Sequence, residues 1–300
     1  YLGGATVFLD FNLNGEFDDD EPFGFSSDNG GFELEITEEE MQDHDKDGNG
    51  MLEPSEGMIV VVGGVDHSSK IPLPISYRAP PSYSVITAVS TLIAGFIDQG
   101  LSLSEAEVIV SQDLSLPEGI DLASFEPLRE VFAEGEKARN YILKATQLAN
   151  LFNEGSRFLQ MKSGDRLSRI KGAEMIVSAL GKKILEQSNR RSSNGSTAFD
   201  LNDPTMLLEV INSADDIAIS EIEKSENLEL LEASSVRADL AKSQPEIAEI
   251  GNDQILNEMV DQISSANTML DDLSNDPSVA PSEFKSLASA TQNILNELGE

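Results

Sequence analysis

The chain has 300 residues, with 54 acidic against 20 basic side chains, two His and no Cys. A net charge of −34 excludes nucleic acid and anionic membrane surfaces as partners, because both carry repelling phosphate. The lack of Cys excludes disulfides, thiolate catalysis and Cys-ligated metals, and two His leave a hard cation held by oxygen ligands as the attractive metal chemistry.

At ~150 residues per domain the length suggests two domains. A hydrophobic content of 39% suffices for a packed core. The chain opens at Tyr1 with no charged segment followed by an apolar run, which reads as a processed secreted protein or a piece of a longer one. Residues 84–97 form the longest nearly apolar stretch. It falls short of the ~20 residues that span a bilayer and reads as a buried helix.

Residues 1–60 hold 17 acids and a single base, Lys46, and are rich in Gly and turn signals. Strands are expected over 5–9, over 31–36, where Phe32, Leu34 and Ile36 alternate with acids, and over 58–62, closed by Gly63-Gly64. Residues 71–76 suit an edge strand because of Pro72 and Pro74, and Arg78-Ala79-Pro80-Pro81 reads as a boundary. From Ser82 the spacing turns helical. Helices are predicted over 82–98, from a capping box at Ser104-Glu105-Ala106-Glu107 to before Leu116-Pro117, through Ala138 to Phe152, and through Leu167 to Ile184. A polar loop over 190–197 precedes a helix begun by Asp203-Pro204, with further helices near 226–242, 252–273 and 282–298. The expected fold is therefore α+β: a small β-rich calcium-binding domain over 1–81, then a mainly α-helical bundle domain over 82–300.

Two acidic segments carry the chemistry. In a twelve-residue calcium loop, every second residue turns an oxygen inward, a glycine at position six makes the sharp turn, and a Glu at twelve closes the site with both oxygens. Asp10, Asn12, Asn14, the Glu16 carbonyl, Asp18 and Glu21 occupy ligand positions one, three, five, seven, nine and twelve, with Gly15 at six. Asp45, Asp47, Asn49, the Met51 carbonyl, Glu53 and Glu56 repeat the pattern, with Gly50 at six. Phe17 and Leu52 sit at the apolar position eight. Two full matches predict two Ca²⁺ sites. Thr37-Glu38-Glu39-Glu40 is a capping box that leads a short helix into the second loop, and Glu53-Pro54 starts another. The first loop follows a strand instead.

Gly4-Ala5-Thr6-Val7-Phe8-Leu9-Asp10, the Asn12-to-Gly15 turn with Asp18 and Glu21-Pro22, and Ser27-Asp28-Asn29-Gly30-Gly31-Phe32-Glu33-Leu34 resemble the calcium-binding β-sandwich modules of bacterial surface proteins, the collagen-adhesin B-type and serine-aspartate-repeat families. Val61-Val62-Gly63-Gly64-Val65-Asp66 and Thr87-Ala88-Val89-Ser90-Thr91-Leu92 are similar to a segment that follows such modules in large secreted bacterial proteins, departing from it at Ala88 and Ser90. The resemblance does not extend to the helical remainder. The resemblance implies an extracellular or cell-surface adhesion or structural module, secreted by a bacterium, stiffened by Ca²⁺ and not an enzyme, with a protein or cell-surface partner. The alternative is a calcium-dependent sensor whose helical part binds a protein.

His44 and His67 are far apart in sequence and lack a third ligand, so both are expected at the solvent. Asp66-His67-Ser68 carries triad residue types, but neighbours in one turn rarely face each other.

Overall fold

A computed structural model describes residues 1–130, 135–194, 199–233 and 249–276, together with positions 278–280, 283–284, 286–288 and 290. Its fold is α+β, an antiparallel sheet at the N-terminus followed by a mostly helical remainder.

Six strands and one short helix come first: β1 (Leu2–Gly3), β2 (Thr6–Asp10), β3 (Phe23–Phe25), α1 (Glu38–His44), β4 (Met58–Val62), β5 (Val65–Asp66) and β6 (Tyr77–Ala79). Four of them form an antiparallel sheet in the order β3-β2-β4-β6, and β1 pairs with β5. The β-branched run of β4 lies directly against β2, with Thr6 opposite Val62 and Asp10 opposite Met58. One face presents Val7, Leu9, Ile59 and Val61, all buried, and Phe32, Leu34 and Leu52 pack onto it.

Residues 31–36 keep the expected alternation through Leu34 but not at Ile36, which is exposed, and they join no ladder. Phe32 and Leu34 cover the sheet face, and period-two burial needs only a surface to lie on, not a hydrogen-bonded neighbour. Residues 71–76 make only an isolated bridge, Val65 to Pro72, because Pro72 and Pro74 lack N–H groups. The strand forms just after them, as β6. Arg78 and Ala79 belong to that strand, so the expected boundary segment is structured chain.

The helices are α2 (Ala88–Asp98), α3 (Leu103–Asp113), α4 (Pro127–Glu130), α5 (Gly135–Lys162), α6 (Arg169–Asn194), α7 (Pro204–Ala233) and α8 (Glu249–Asn275). α2 starts six residues later than the predicted range of 82–98. Thr87 supplies the cap, its hydroxyl accepting the N–H groups of Val89 and Ser90 while Ser90 answers with its own hydroxyl. α3 is capped by Ser102 with Glu105, not by Ser104. α6 continues through 190–194, where a loop was expected, and α7 runs unbroken past 226 to Ala233. Of the predicted helices near 226–242 and 282–298, residues 234–242, 282, 285, 289 and 291–298 lie outside the described residues.

α5 is the central helix and packs against α6 and α8. A buried polar chain ties these elements: Asn150 donates to Asn267 Oδ1 (3.0 Å), and Asn267 donates to the Leu201 carbonyl (2.7 Å). α2 crosses α6 so closely that a Cβ at Gly95 would sit 2.3 Å from Val177 Cγ1, which explains the glycine inside an apolar helix. The same α2 holds the sheet. Thr91 Oγ1 accepts the Arg78 N–H (3.0 Å), Ser90 Oγ donates to the Arg78 carbonyl (2.9 Å), and the Arg78 guanidinium meets Asp98 (2.6 Å). No described helix is long and apolar enough to cross a membrane.

Candidate metal centre

The first loop is the connection of the β2–β3 hairpin. β2 ends on Asp10, fully buried at the loop mouth. Its carboxylate accepts the N–H groups of Asn14 (3.2 Å) and Gly15 (2.7 Å). Asn12 Oδ1 accepts the Asn14 N–H (3.0 Å), and Asn14 Oδ1 accepts the Glu16 N–H (2.6 Å). Glu21, also buried, returns to the start, accepting the N–H groups of Phe11 and Asp18 (3.1 Å each). Asp18 accepts the side-chain amides of Asn12 (2.7 Å) and Asn14 (3.1 Å).

The second loop joins α1 to β4. Asp45 accepts Asn49 and Gly50 (3.2 and 2.7 Å), Asp47 accepts Asn49 (3.0 Å), and Asn49 Oδ1 accepts Met51 (2.8 Å). Glu56 closes onto the N–H groups of Lys46 (2.7 Å) and Glu53 (3.0 Å). The Asn49 side chain donates to Asp47 (3.1 Å) and Glu53 (2.6 Å). In both loops the side-chain oxygens at positions one, three, five and twelve accept N–H groups from the same places, positions five and six, five, seven, and two and nine respectively. Both loops also bend left-handed at the same places: position six, Gly15 and Gly50 (φ +77° and +82°), and position four, Leu13 and Gly48 (φ +61° and +70°).

Carboxylate oxygens of Asp45, Asp47 and Glu56 lie within 4.8 Å of one another, a group that can hold a metal ion. Among the described residues, Asp10, Asp18 and Glu21 do not gather as tightly, although hydrogen bonds link the first loop's side chains into one network. Glu16 and Met51, at position seven, donate their N–H groups to Asn14 Oδ1 and Asn49 Oδ1, the same bond in both loops. Burial pushes the Glu21 carboxyl up, opposed by the N–H groups of Asp18 and Phe11. Glu53 and Glu56 share a hydrogen bond that raises the first carboxyl and lowers the second to about 2. A cation among these oxygens removes that carboxylate crowding.

The loops stand side by side at one end of the β2–β4 pair. Phe11, second in the first loop, stacks flat on His44, which immediately precedes the second (3.6 Å, 5°). His44 is thus half-buried, with one ring face against Phe11 rather than fully at the solvent as expected. His67 is exposed. The capping box of Thr37 and Glu40 forms as predicted, but Glu53-Pro54 opens a turn that leads directly into β4 and not a helix. Leu52 packs on the sheet core; Phe17 is half-exposed and meets Phe8 and Phe23 edge-on at 5.4 and 5.0 Å.

Residues from the helical part also reach the first loop. Lys171 Nζ donates to the Asn14 carbonyl (3.3 Å) and pairs with Glu174 (3.1 Å), and Glu174 Oε1 stands 2.9 Å from where a Gly15 Cβ would be. Nothing near residue 171 in sequence signals this contact, which only the tertiary fold creates. The left-handed residue at position four was equally silent in the first loop, because Leu13 is not a turn residue.

The chain matches no protein family, no curated protein and no solved structure.

Proposed function

We propose that this chain is a calcium-binding structural module in which Ca²⁺ fills both twelve-residue loops and stiffens the end of the sheet. The observation that carries this reading is the shared backbone pattern. Two loops of different sequence, one between strands and one between a helix and a strand, turn the same positions inward and close with a Glu at position twelve. Six to eight oxygens at ~2.3–2.6 Å are what Ca²⁺ requires, and a flexible side-chain and carbonyl set suits it better than Mg²⁺, which keeps its waters.

The setting favours a structural ion over a signalling one. A sensor opens a helix pair and exposes an apolar groove. Here the first loop is anchored in a hairpin, and the only helix entering the second, α1, has seven residues and buries none of them. The resemblance of residues 1–36 to adhesin modules extends the proposal to an extracellular or cell-surface bacterial protein that serves adhesion or spacing and is not an enzyme. The test is calorimetric titration of the ion-free chain with Ca²⁺, with Mg²⁺ as competitor. Two ions per chain are expected, and no binding at millimolar Ca²⁺ overturns the reading. A rise in hydrophobic-dye fluorescence on adding Ca²⁺ would favour the sensor instead.

A further inference from the structure

We propose that the first loop is a calcium-dependent clasp between the sheet and the helical part, and that Lys171 of α6 is its positioning residue, while the second loop has no such role. The inference rests on the calcium reading above and adds a division of labour between the two sites.

Three observations support it. First, the contact is direct: Lys171 donates to the carbonyl of Asn14, the residue whose side chain would be a ligand at position five, and Lys171 is itself held by Glu174 one helical turn on. Second, the turn of the loop lies against the side chains of α6. Gly15 faces the Glu174 carboxylate so closely that a Cβ would stand 2.9 Å from Oε1. A small cleft of about 260 Å³ at this junction has Leu13, Asn14 and Gly15 on one wall and Lys171, Glu174 and Val177 on another. Third, the two loops differ at position four. Both need a left-handed backbone there; the second uses Gly48, which adopts it freely, whereas the first uses Leu13 at φ +61°. A leucine is strained in that conformation, and this one borders the cleft beside α6 while remaining 41% exposed. The first loop thus holds a strained backbone at the junction with the helical part. Gly48 and Gly50 of the second loop have open space around them.

The physical link is reciprocal. An ion that fixes Asn14 and Glu21 would hold the Leu13–Asn14–Gly15 turn in the shape that docks on α6, and docking on α6 would preorganise the loop for the ion. The ammonium of Lys171 does not act as a ligand. Its partner Glu174 offsets its repulsion of a cation, and its role is to hold a carbonyl.

Amide hydrogen exchange of the whole chain, with and without Ca²⁺, tests the clasp when combined with calorimetry. In the wild type and in Glu56→Gln, Ca²⁺ should slow exchange across residues 169–178 by roughly tenfold, a typical size for coupling between sites. In Glu21→Gln that slowing should vanish. Lys171→Met leaves all ligand side chains in place. In the Glu56→Gln background, which isolates the first site, it should weaken Ca²⁺ affinity several-fold and diminish the protection of α6. If Glu56→Gln binds one ion but exchange over 169–178 is unchanged, the clasp is wrong and the calcium reading stands. If the wild type binds no Ca²⁺ at millimolar concentration, the reading beneath it fails.

Discussion

Replacing Glu21 by Gln separates the ion's contribution from that of the loop's own hydrogen bonds. In the ion-free chain the two oxygens of Glu21 accept the N–H groups of Phe11 and Asp18. Glutamine keeps one acceptor and turns an NH₂ group toward the other N–H, a loss of about 1–2 kcal/mol. The same change removes a buried negative charge that Asp10 and Asp18 disfavour, which acts in the opposite direction. These effects nearly cancel, so stability in chelator should change by no more than ~1 kcal/mol. With Ca²⁺ at a hundred times Kd, a filled site adds ~2.7 kcal/mol. At about 2–4 °C per kcal/mol for a domain of this order, that site raises Tm by roughly 5–10 °C. Differential scanning calorimetry in chelator and in Ca²⁺ reads both numbers. Wild type should gain the shift from two sites and Glu21→Gln from one. A variant that keeps the full Ca²⁺-dependent gain refutes the assignment of Glu21 as closing ligand. One that loses the same amount in chelator shows that the carboxylate serves the fold, not an ion.

Three further outcomes are expected. Gly50→Ala meets no neighbour, but its φ of +82° should make it about 1 kcal/mol less stable in chelator, measurable by urea titration. Thr87→Ala removes the cap of α2 and the partner of the buried Tyr141 hydroxyl (3.0 Å), so denaturant unfolding should show a loss of about 1–2 kcal/mol. The Ser102 hydroxyl and N–H hold the Glu105 carboxyl below the ordinary glutamate value of 4.5, so this cap is complete above that pH and lost as the pH falls toward the folded value; Ser102→Ala, which keeps the N–H, should move the carboxyl part of the way back toward ordinary titration by NMR.

Much of this architecture was legible because its signals are local. The β4 strand declared itself by a β-branched run ended by two glycines, and the start of α7 by Asp203-Pro204. The loops followed from ligand spacing, which depends on twelve consecutive residues and little else. What was missed depended on distant partners. The start of α2 lay with the Thr87 box because residues 84 and 85 bond the Ala123 carbonyl instead of entering the helix. Phe32 and Leu34 looked like a strand because a segment lying across a sheet and a strand within one show the same alternation. Phe11 over His44 and Lys171 over Asn14 join residues 33 and 157 positions apart, and no periodicity reports such pairs.

The pair of loops also bears on where such a motif can be inserted. One is entered from a strand and left into a strand; the other is entered from a helix and left into a strand, yet their internal backbone bonds agree. The internal bonds of the twelve residues therefore come from their own side chains and ask of the flanking elements only that the two ends come close, which the Glu at position twelve then fastens, while the contact with α6 is particular to the first loop. That makes the motif portable. Grafted in place of the turn of an unrelated antiparallel hairpin, residues 10–21 should bring their geometry with them, and this chain would be a case in which one cassette has been fitted twice to unlike frames.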